Sequence, residues 1–254
     1  MFKIRDVLFL LPVILASCGG TSTRHDPFAD KLNILPEAEV ESIYLGICAR
    51  LDKKRDALQQ QWKNAGMNGA KRKIVLDSTR KLLFNTLCDS LFVCWYGTPW
   101  DFNGTSHCPR KGQIACGYFV TTVLEQAGFR IERTWLAQQA SGVMIRHLCA
   151  STKIKTITNN QTKKLVQYIQ SRPDGIFVIG LDNHTGFIIK QKGSLDFVDA
   201  GVWPHGKVAR EPLNESQVVN DSKFYVAGEL LYSNETLIAW LQNKPVGKNS
   251  TKGE

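Results

Sequence analysis

Between residues 173 and 199 short apolar runs alternate with chain-reversing residues, and this rhythm constrains the fold more than any other feature. Pro173-Asp174-Gly175 is a turn and Ile176-Phe177-Val178-Ile179 a strand. Asp182-Asn183 marks a tight turn, and His184-Thr185-Gly186-Phe187-Ile188-Ile189 opens a second strand. After Gln191-Lys192-Gly193-Ser194, residues 195–199 form a third. β-Branched and aromatic side chains suit a pleated, half-buried surface, and runs separated by so few residues pair as an antiparallel meander. In such a meander the start of one strand lies beside the end of the next. His184, opening the middle strand, and Asp199, closing the third, are therefore predicted to meet. Asp199 can then hydrogen-bond the imidazole and fix its tautomer.

Helical patterns precede this region. Residues 37–63 follow Pro36 and begin with acidic side chains, as helix starts prefer. Within them Val40, Ile43, Tyr44, Ile47, Leu51, Leu58 and Trp62 recur at helical spacing. Gly66 and Asn68-Gly69 break the pattern. Residues 73–92 resume it, with Leu76, Leu83, Leu87 and Leu91 on one stripe. The two helices are expected to form a hairpin covering the main domain's core. The fold class is α+β, with a helical segment over 36–93, a main domain over 94–235 and a polar tail over 236–254.

The amino terminus points to export. Lys3 and Arg5 precede an apolar run over 7–14, and Leu15-Ala16-Ser17-Cys18 follows. A charged region, a short apolar region and a small-residue cleavage site make a secretory signal, and the run is too short to span a bilayer as a helix. The last four residues resemble the bacterial lipobox. That resemblance implies that residues 1–17 are removed and Cys18 is lipidated, anchoring the chain to a membrane. The absence of Asp after Cys18 resembles the pattern of outer-membrane sorting, facing the periplasm. Residues 18–35 are expected to act as a lipidated tether.

The chain carries 32 Lys and Arg against 23 Asp and Glu, a formal charge of +9. The basic residues are scattered and no nucleic-acid motif is present, so a nucleic-acid partner is not expected. There are seven cysteines. Setting aside Cys18 and Cys116 leaves Cys48, Cys88, Cys94, Cys108 and Cys149. An exported protein can form disulfides, but an odd number leaves at least one thiol free or paired between chains. His107, Cys108 and Cys116 lack the paired spacing of a structural metal site, so neither metal nor other cofactor is expected.

The chemistry lies between Trp95 and Gly128. Trp95-Tyr96-Gly97-Thr98-Pro99-Trp100-Asp101-Phe102-Asn103-Gly104 is a loop dense in Gly, Pro and aromatics. Gly112-Gln113-Ile114-Ala115-Cys116-Gly117-Tyr118 leads into an apolar helical face of Phe119, Val120, Val123, Leu124 and Ala127, which Gly128 closes. Cys116 thus falls at a helix N-terminus. There the helix dipole and free N–H groups favour a thiolate and can also hold a developing oxyanion. Cys116 as nucleophile, His184 as base and Asp199 as orienting carboxylate satisfy the requirements of covalent catalysis.

These residues carry a family resemblance. Tyr96-Gly97-Thr98-Pro99-Trp100, then Asn103-Gly104, then Ala115-Cys116-Gly117-Tyr118-Phe119-Val120 is similar to the opening of the NlpC-type cell-wall cysteine peptidases. Their pattern is a Gly-Thr-Pro-aromatic loop, a Gly pair, then Asp-Cys-Ser-Gly-Phe-Val. His184-Thr185-Gly186-Phe187-Ile188 resembles their His-Val-Gly-Ile-Tyr strand, and Phe197-Val198-Asp199-Ala200 falls where they carry a third polar residue. Phe224-Tyr225-Val226 resembles their closing strand. The resemblance covers roughly residues 94–230. It implies a papain-like domain and an amidase or endopeptidase acting on peptidoglycan peptides. Ala115 replaces the family's Asp and Gly117-Tyr118 its Ser-Gly, residues that help bind the free amine of a peptide stem. A substrate here is then not recognised through that amine.

The oxyanion would be held by the Cys116 N–H and a second donor, for which Tyr96, Trp100 and Gln113 are candidates. His107, His147 and His205 are less favoured as bases, because none opens a strand. Two other readings use the same chain. One is a catalytically silent envelope lipoprotein that binds or scaffolds. The other is acyl transfer or amide hydrolysis on a lipid or small peptide.

Overall fold

The computed structural model describes residues 27–159 and 161–247. The signal sequence, Cys18 and residues 248–254 lie outside them. The architecture is α+β. Helices α1 (Pro27–Asn33), α2 (Glu37–Asn64) and α3 (Gly69–Thr86) come first, and a π-helical turn (Leu87–Leu91) runs on into α4 (Phe92–Trp95). The second predicted helix begins four residues earlier than its apolar pattern, at Gly69 rather than Lys73. Asn68, read from sequence as part of a breaker, is also the cap: its side chain accepts from the Lys71 N–H at 2.9 Å.

Helices α5 (Cys116–Gln126), α6 (Arg133–Ala137) and α7 (Ser141–Leu148) follow, then α8 (Thr162–Gln170), α9 (Gln217–Asp221) and α10 (Asn234–Leu241). The strands are β1 (Ile154–Thr158), β2 (Gly175–Gly180), β3 (Thr185–Gln191), β4 (Ser194–Gly201), β5 (Lys207–Pro212) and β6 (Phe224–Glu229). They make one antiparallel sheet of six strands in the order β1-β6-β2-β3-β4-β5. The predicted meander is β2-β3-β4 at its centre.

Alternation along these strands feeds two cores. Ile176, Val178, Phe187, Ile189 and Val198 pack on the side that carries the N-terminal helices and α5. Phe177, Ile179, Ile188 and Phe197 pack on the other side, under Leu165 and Ile169 of α8 and Val219 of α9. Covered on both faces, β2 is buried along its whole length, which explains its unbroken apolar run.

Three sequence expectations need correction. The 18–35 tether ends early, because residues 27–33 are helical, Leu32 is fully buried, and Arg110 donates from Nη1 to the Leu32 carbonyl at 2.8 Å. Phe28, Leu32 and Leu35 stand at helical spacing and pack on the core, a signal too short to stand out in the polar stretch, and Leu32 is tied to a partner 78 positions away. The 236–254 tail is docked through residue 247. Leu237, Trp240 and Leu241 of α10 are buried, the Trp240 indole donates to the Ala127 carbonyl at 2.7 Å, and Val246 N–H donates to Arg130 O at 2.9 Å. The boundary at residue 93 cuts through one packing unit: Leu83, Leu87, Leu91 and Phe92 share one core with Phe119 and Phe187. The rings of Phe92 and Phe187 lie 4.8 Å apart.

Candidate active site

Cys116 is the first residue of α5. Ala115 before it is extended (φ −83°, ψ 159°) and donates its N–H to Gly104 O at 2.8 Å, so the chain enters the helix from a fixed loop. Gly104 is required there, since a Cβ on it would lie 2.5 Å from the Ile114 nitrogen. Gly117 is required for a similar reason: a Cβ would lie 2.3 Å from the Ala137 carbonyl oxygen, which closes on the first turn of α5 from the end of α6. Downstream, Phe119 packs edge-on against Phe187 of β3 with centroids 5.9 Å apart, which sets the height of the helix over the sheet.

His184 leaves the β2–β3 turn directly before β3. The turn closes through the Leu181 N–H donating to His184 O at 2.8 Å, and Asp182 ties it to the start of the adjacent strand β6 by accepting from the Lys223 N–H at 2.8 Å. On the neighbouring strand Asp199 pairs with Gly186. The predicted meeting occurs: His184 Nε2 and Asp199 Oδ2 are 2.6 Å apart, with the two side chains only 16% and 7% exposed. With Nε2 engaged, Nδ1 is the nitrogen left for Cys116, and the two side chains act on each other electrostatically.

The electrostatics favour charge on both partners. Burial opposes a thiolate at Cys116. The hydrogen bond and charge of His184, with the backbone N–H groups of Thr185 and Gly117, outweigh it and lower the thiol's pKa. Burial likewise opposes an imidazolium at His184, but the hydrogen bonds and charges of Asp199 and Cys116 raise it to about 9. The two shifts point the same way, toward a thiolate–imidazolium pair.

The pair opens on a cavity of about 840 Å³. Of the three predicted oxyanion candidates, Trp100 lines it, while Tyr96 and Gln113 do not. The Tyr96 hydroxyl is turned to Arg210, which also holds Asp196 at 2.6 Å. Gln113 is exposed, and its backbone is used in the loop, where its carbonyl accepts from the Ser106 N–H at 3.0 Å. Sequence proximity to the nucleophile suggested both, and loop geometry turns both away.

Asn103, Tyr118 and Trp203 line the cavity and were not singled out as site residues from the sequence. Tyr118, two residues after the nucleophile in a helical pattern, was the most findable of them. The other histidines among the described residues are engaged elsewhere. His107 Nε2 is 2.9 Å from Arg133 Nη1, His147 packs edge-on to Trp135 with centroids 5.6 Å apart, and His205 lies 3.3 Å from Glu211. The six cysteines among the described residues carry free thiols, and no described cluster of His, Cys, Asp or Glu could hold a metal ion.

No family model matches the chain, and comparison with curated proteins and with solved structures finds no match either.

Proposed function

We propose that the chain is a cysteine hydrolase of the bacterial cell envelope, an amidase or endopeptidase on a papain-like domain of NlpC type, cleaving amide bonds of peptidoglycan peptides. One observation carries this reading: Asp199 holds His184 at 2.6 Å and His184 acts electrostatically on Cys116, with the sulfur at a helix N-terminus and at the wall of an open cavity. The lipobox-like Leu15-Ala16-Ser17-Cys18 supports export and anchoring through Cys18 at the outer membrane, facing the periplasm.

In the proposed reaction His184 holds the proton released by Cys116. The thiolate adds to the amide carbonyl carbon. The oxyanion is held by the Cys116 backbone N–H and a second donor, for which Trp100 is the candidate at the cavity. The imidazolium gives its proton to the leaving nitrogen, the C–N bond breaks, and a thioester remains. Water, deprotonated by His184, adds to the thioester carbon, and the acid leaves as the thiol is restored. Asp199 keeps Nε2 protonated and the ring in place throughout.

Digestion of purified peptidoglycan by the chain starting at residue 19, with fragments read by mass spectrometry, tests this. New peptide ends are expected with the wild-type chain and none with Cys116→Ala. The replacement of the amine-binding Asp and Ser by Ala115 and Gly117-Tyr118 favours a second reading, a silent binding protein. That reading predicts that the chain co-sediments with the polymer and releases nothing.

A further inference from the structure

The chain carries 32 Lys and Arg, and among the described residues not one lysine or arginine lines the cavity at Cys116. Its charged members besides the His184 pair are Asp182 and Asp221. Arg133 stacks on the Tyr118 ring at 4.9 Å but is turned away, since it donates to Thr122 Oγ1 and to the carbonyls of Thr105 and Ser106, and its Nη1 contacts His107. The imidazolium is itself committed to Asp199 and Cys116. A carboxylate entering this cavity would meet the like charges of Asp182 and Asp221 with no lysine or arginine among the described lining residues to receive it, which is unfavourable.

Apolar surface stands where cations do not. Phe102, Val202 and Trp203 line the cavity and are 80%, 63% and 59% exposed. They sit on two loops, and the loops are stitched together. Trp100 N–H donates to Gly206 O at 2.9 Å, Gly97 N–H to Val208 O at 2.9 Å, and Val208 N–H to Thr98 O at 2.8 Å. The Trp203 indole is fixed by donating to Gln217 Oε1 at 2.7 Å. Trp203, held in place before anything binds, loses little freedom on binding.

We infer that the cavity selects substrates bearing an apolar or aromatic group, without a free carboxylate, next to the bond attacked by Cys116. Phe102 and Trp203 are the specificity-determining side chains. The inference rests on Cys116 being the reacting centre. For peptidoglycan peptides it means stems whose carboxyl groups are amidated, in preference to acidic stems.

Alkylation of Cys116 in the chain starting at residue 19 tests this without requiring turnover. The rates with N-benzylmaleimide and N-(2-carboxyethyl)maleimide are each read at Cys116 by peptide mapping and divided by the rate with free cysteine. A normalised preference of at least about tenfold for the benzyl reagent is expected, the scale of a filled apolar pocket. In Phe102→Ser/Trp203→Ser it should fall toward one. A ratio of one or less in the wild-type chain, or a Cys116 that the benzyl reagent does not reach, overturns the inference. Peptidoglycan left undigested with the preference intact would remove the hydrolase reading and leave the selectivity standing. Rapid digestion of acidic stems would do the reverse.

Discussion

Gly201 lies two residues after Asp199 on the same face of β4, and a Cβ placed on it would come within 2.5 Å of Asp199 Oδ2, the oxygen bound to His184. The carboxylate keeps its position because residue 201 has no side chain. Gly201→Ala should therefore displace the carboxylate while leaving the fold intact. Hydrolysis should drop on the order of 10²-fold, as expected for a misplaced catalytic group. The thiol pKa of Cys116 should rise, because an imidazole without its carboxylate holds a proton less firmly. Alkylation against pH reads the second effect. Wild-type rates together with a wild-type alkylation midpoint would show that Asp199 tolerates the methyl group.

The opposed shifts at Cys116 and His184 set a pH profile. The Cys116 value is lowered, so alkylation should rise with pH through a midpoint below the ordinary thiol value of about 8.5. It should then reach a plateau, since the thiolate persists at higher pH. Hydrolysis also needs the imidazolium to protonate the leaving nitrogen, and His184 gives up that proton near pH 9. Hydrolysis should therefore fall above about pH 9 while alkylation does not. In His184→Ala the largest lowering contacts vanish and only the Thr185 and Gly117 N–H groups are left to oppose burial, so the alkylation midpoint should move upward. A midpoint unchanged by His184→Ala would separate the two side chains functionally.

The candidate triad was legible because it depends on local rules. Turn residues at 182–183 and 192–193 imposed the hairpins, the hairpins imposed the register, and register alone brings His184 to Asp199. The helix start at Cys116 followed from the apolar face behind it. What the sequence did not reveal depends on distant partners. Strand β1 has the burial pattern of an edge and is recruited by β6, about 70 residues away, so its own residues alternate weakly. The docking of Leu32 by Arg110, of Val246 by Arg130 and of Tyr96 by Arg210 are pairings without local signature. Gly117, read as a departure from a family motif, has a packing cause in the Ala137 carbonyl.

Trp100 lines the cavity and Tyr96 and Gln113 do not, and kinetics should divide them accordingly. Removing a donor to the oxyanion costs about 10²–10³ in turnover where it acts. Trp100→Phe should lower hydrolysis strongly. It should leave maleimide alkylation largely unchanged, since that reaction forms no tetrahedral oxyanion. Gln113→Ala should change either rate by no more than about twofold, the scale of an exposed substitution. Tyr96→Phe should likewise leave alkylation intact, because the Arg210–Asp196 pair survives it. A large loss of turnover confined to Tyr96→Phe would mean that the loop rearranges to present its hydroxyl when substrate binds.

The helices before residue 93 should prove inseparable from the catalytic region. Leu83, Leu87, Leu91 and Phe92 are fully buried, and their neighbours include Phe119, on the helix that starts with Cys116, and Phe187, three residues past His184. The Trp95 indole donates to Tyr44 Oη at 2.9 Å, and that hydroxyl donates to Gln126 Oε1 at 2.6 Å, so α2 is bonded to both ends of the nucleophile segment. A fragment starting at residue 94 lacks these four side chains and uncovers the apolar surface they cover on Phe119, Phe187 and their neighbours, and at about 1.5–3 kcal/mol for each large apolar side chain exposed the loss is a large part of the stability of a small domain. A fragment of residues 94–247 should therefore lack a cooperative thermal transition. Its Cys116 should alkylate like a free thiol, with no dependence on His184. The single change Phe92→Ala, worth about 3–5 kcal/mol in a packed core, should lower the melting temperature of the intact chain and loosen the Phe119–Phe187 contact beneath the site. A fragment that melts cooperatively and keeps the lowered Cys116 midpoint would show that β2–β4 and α5 hold the triad unaided.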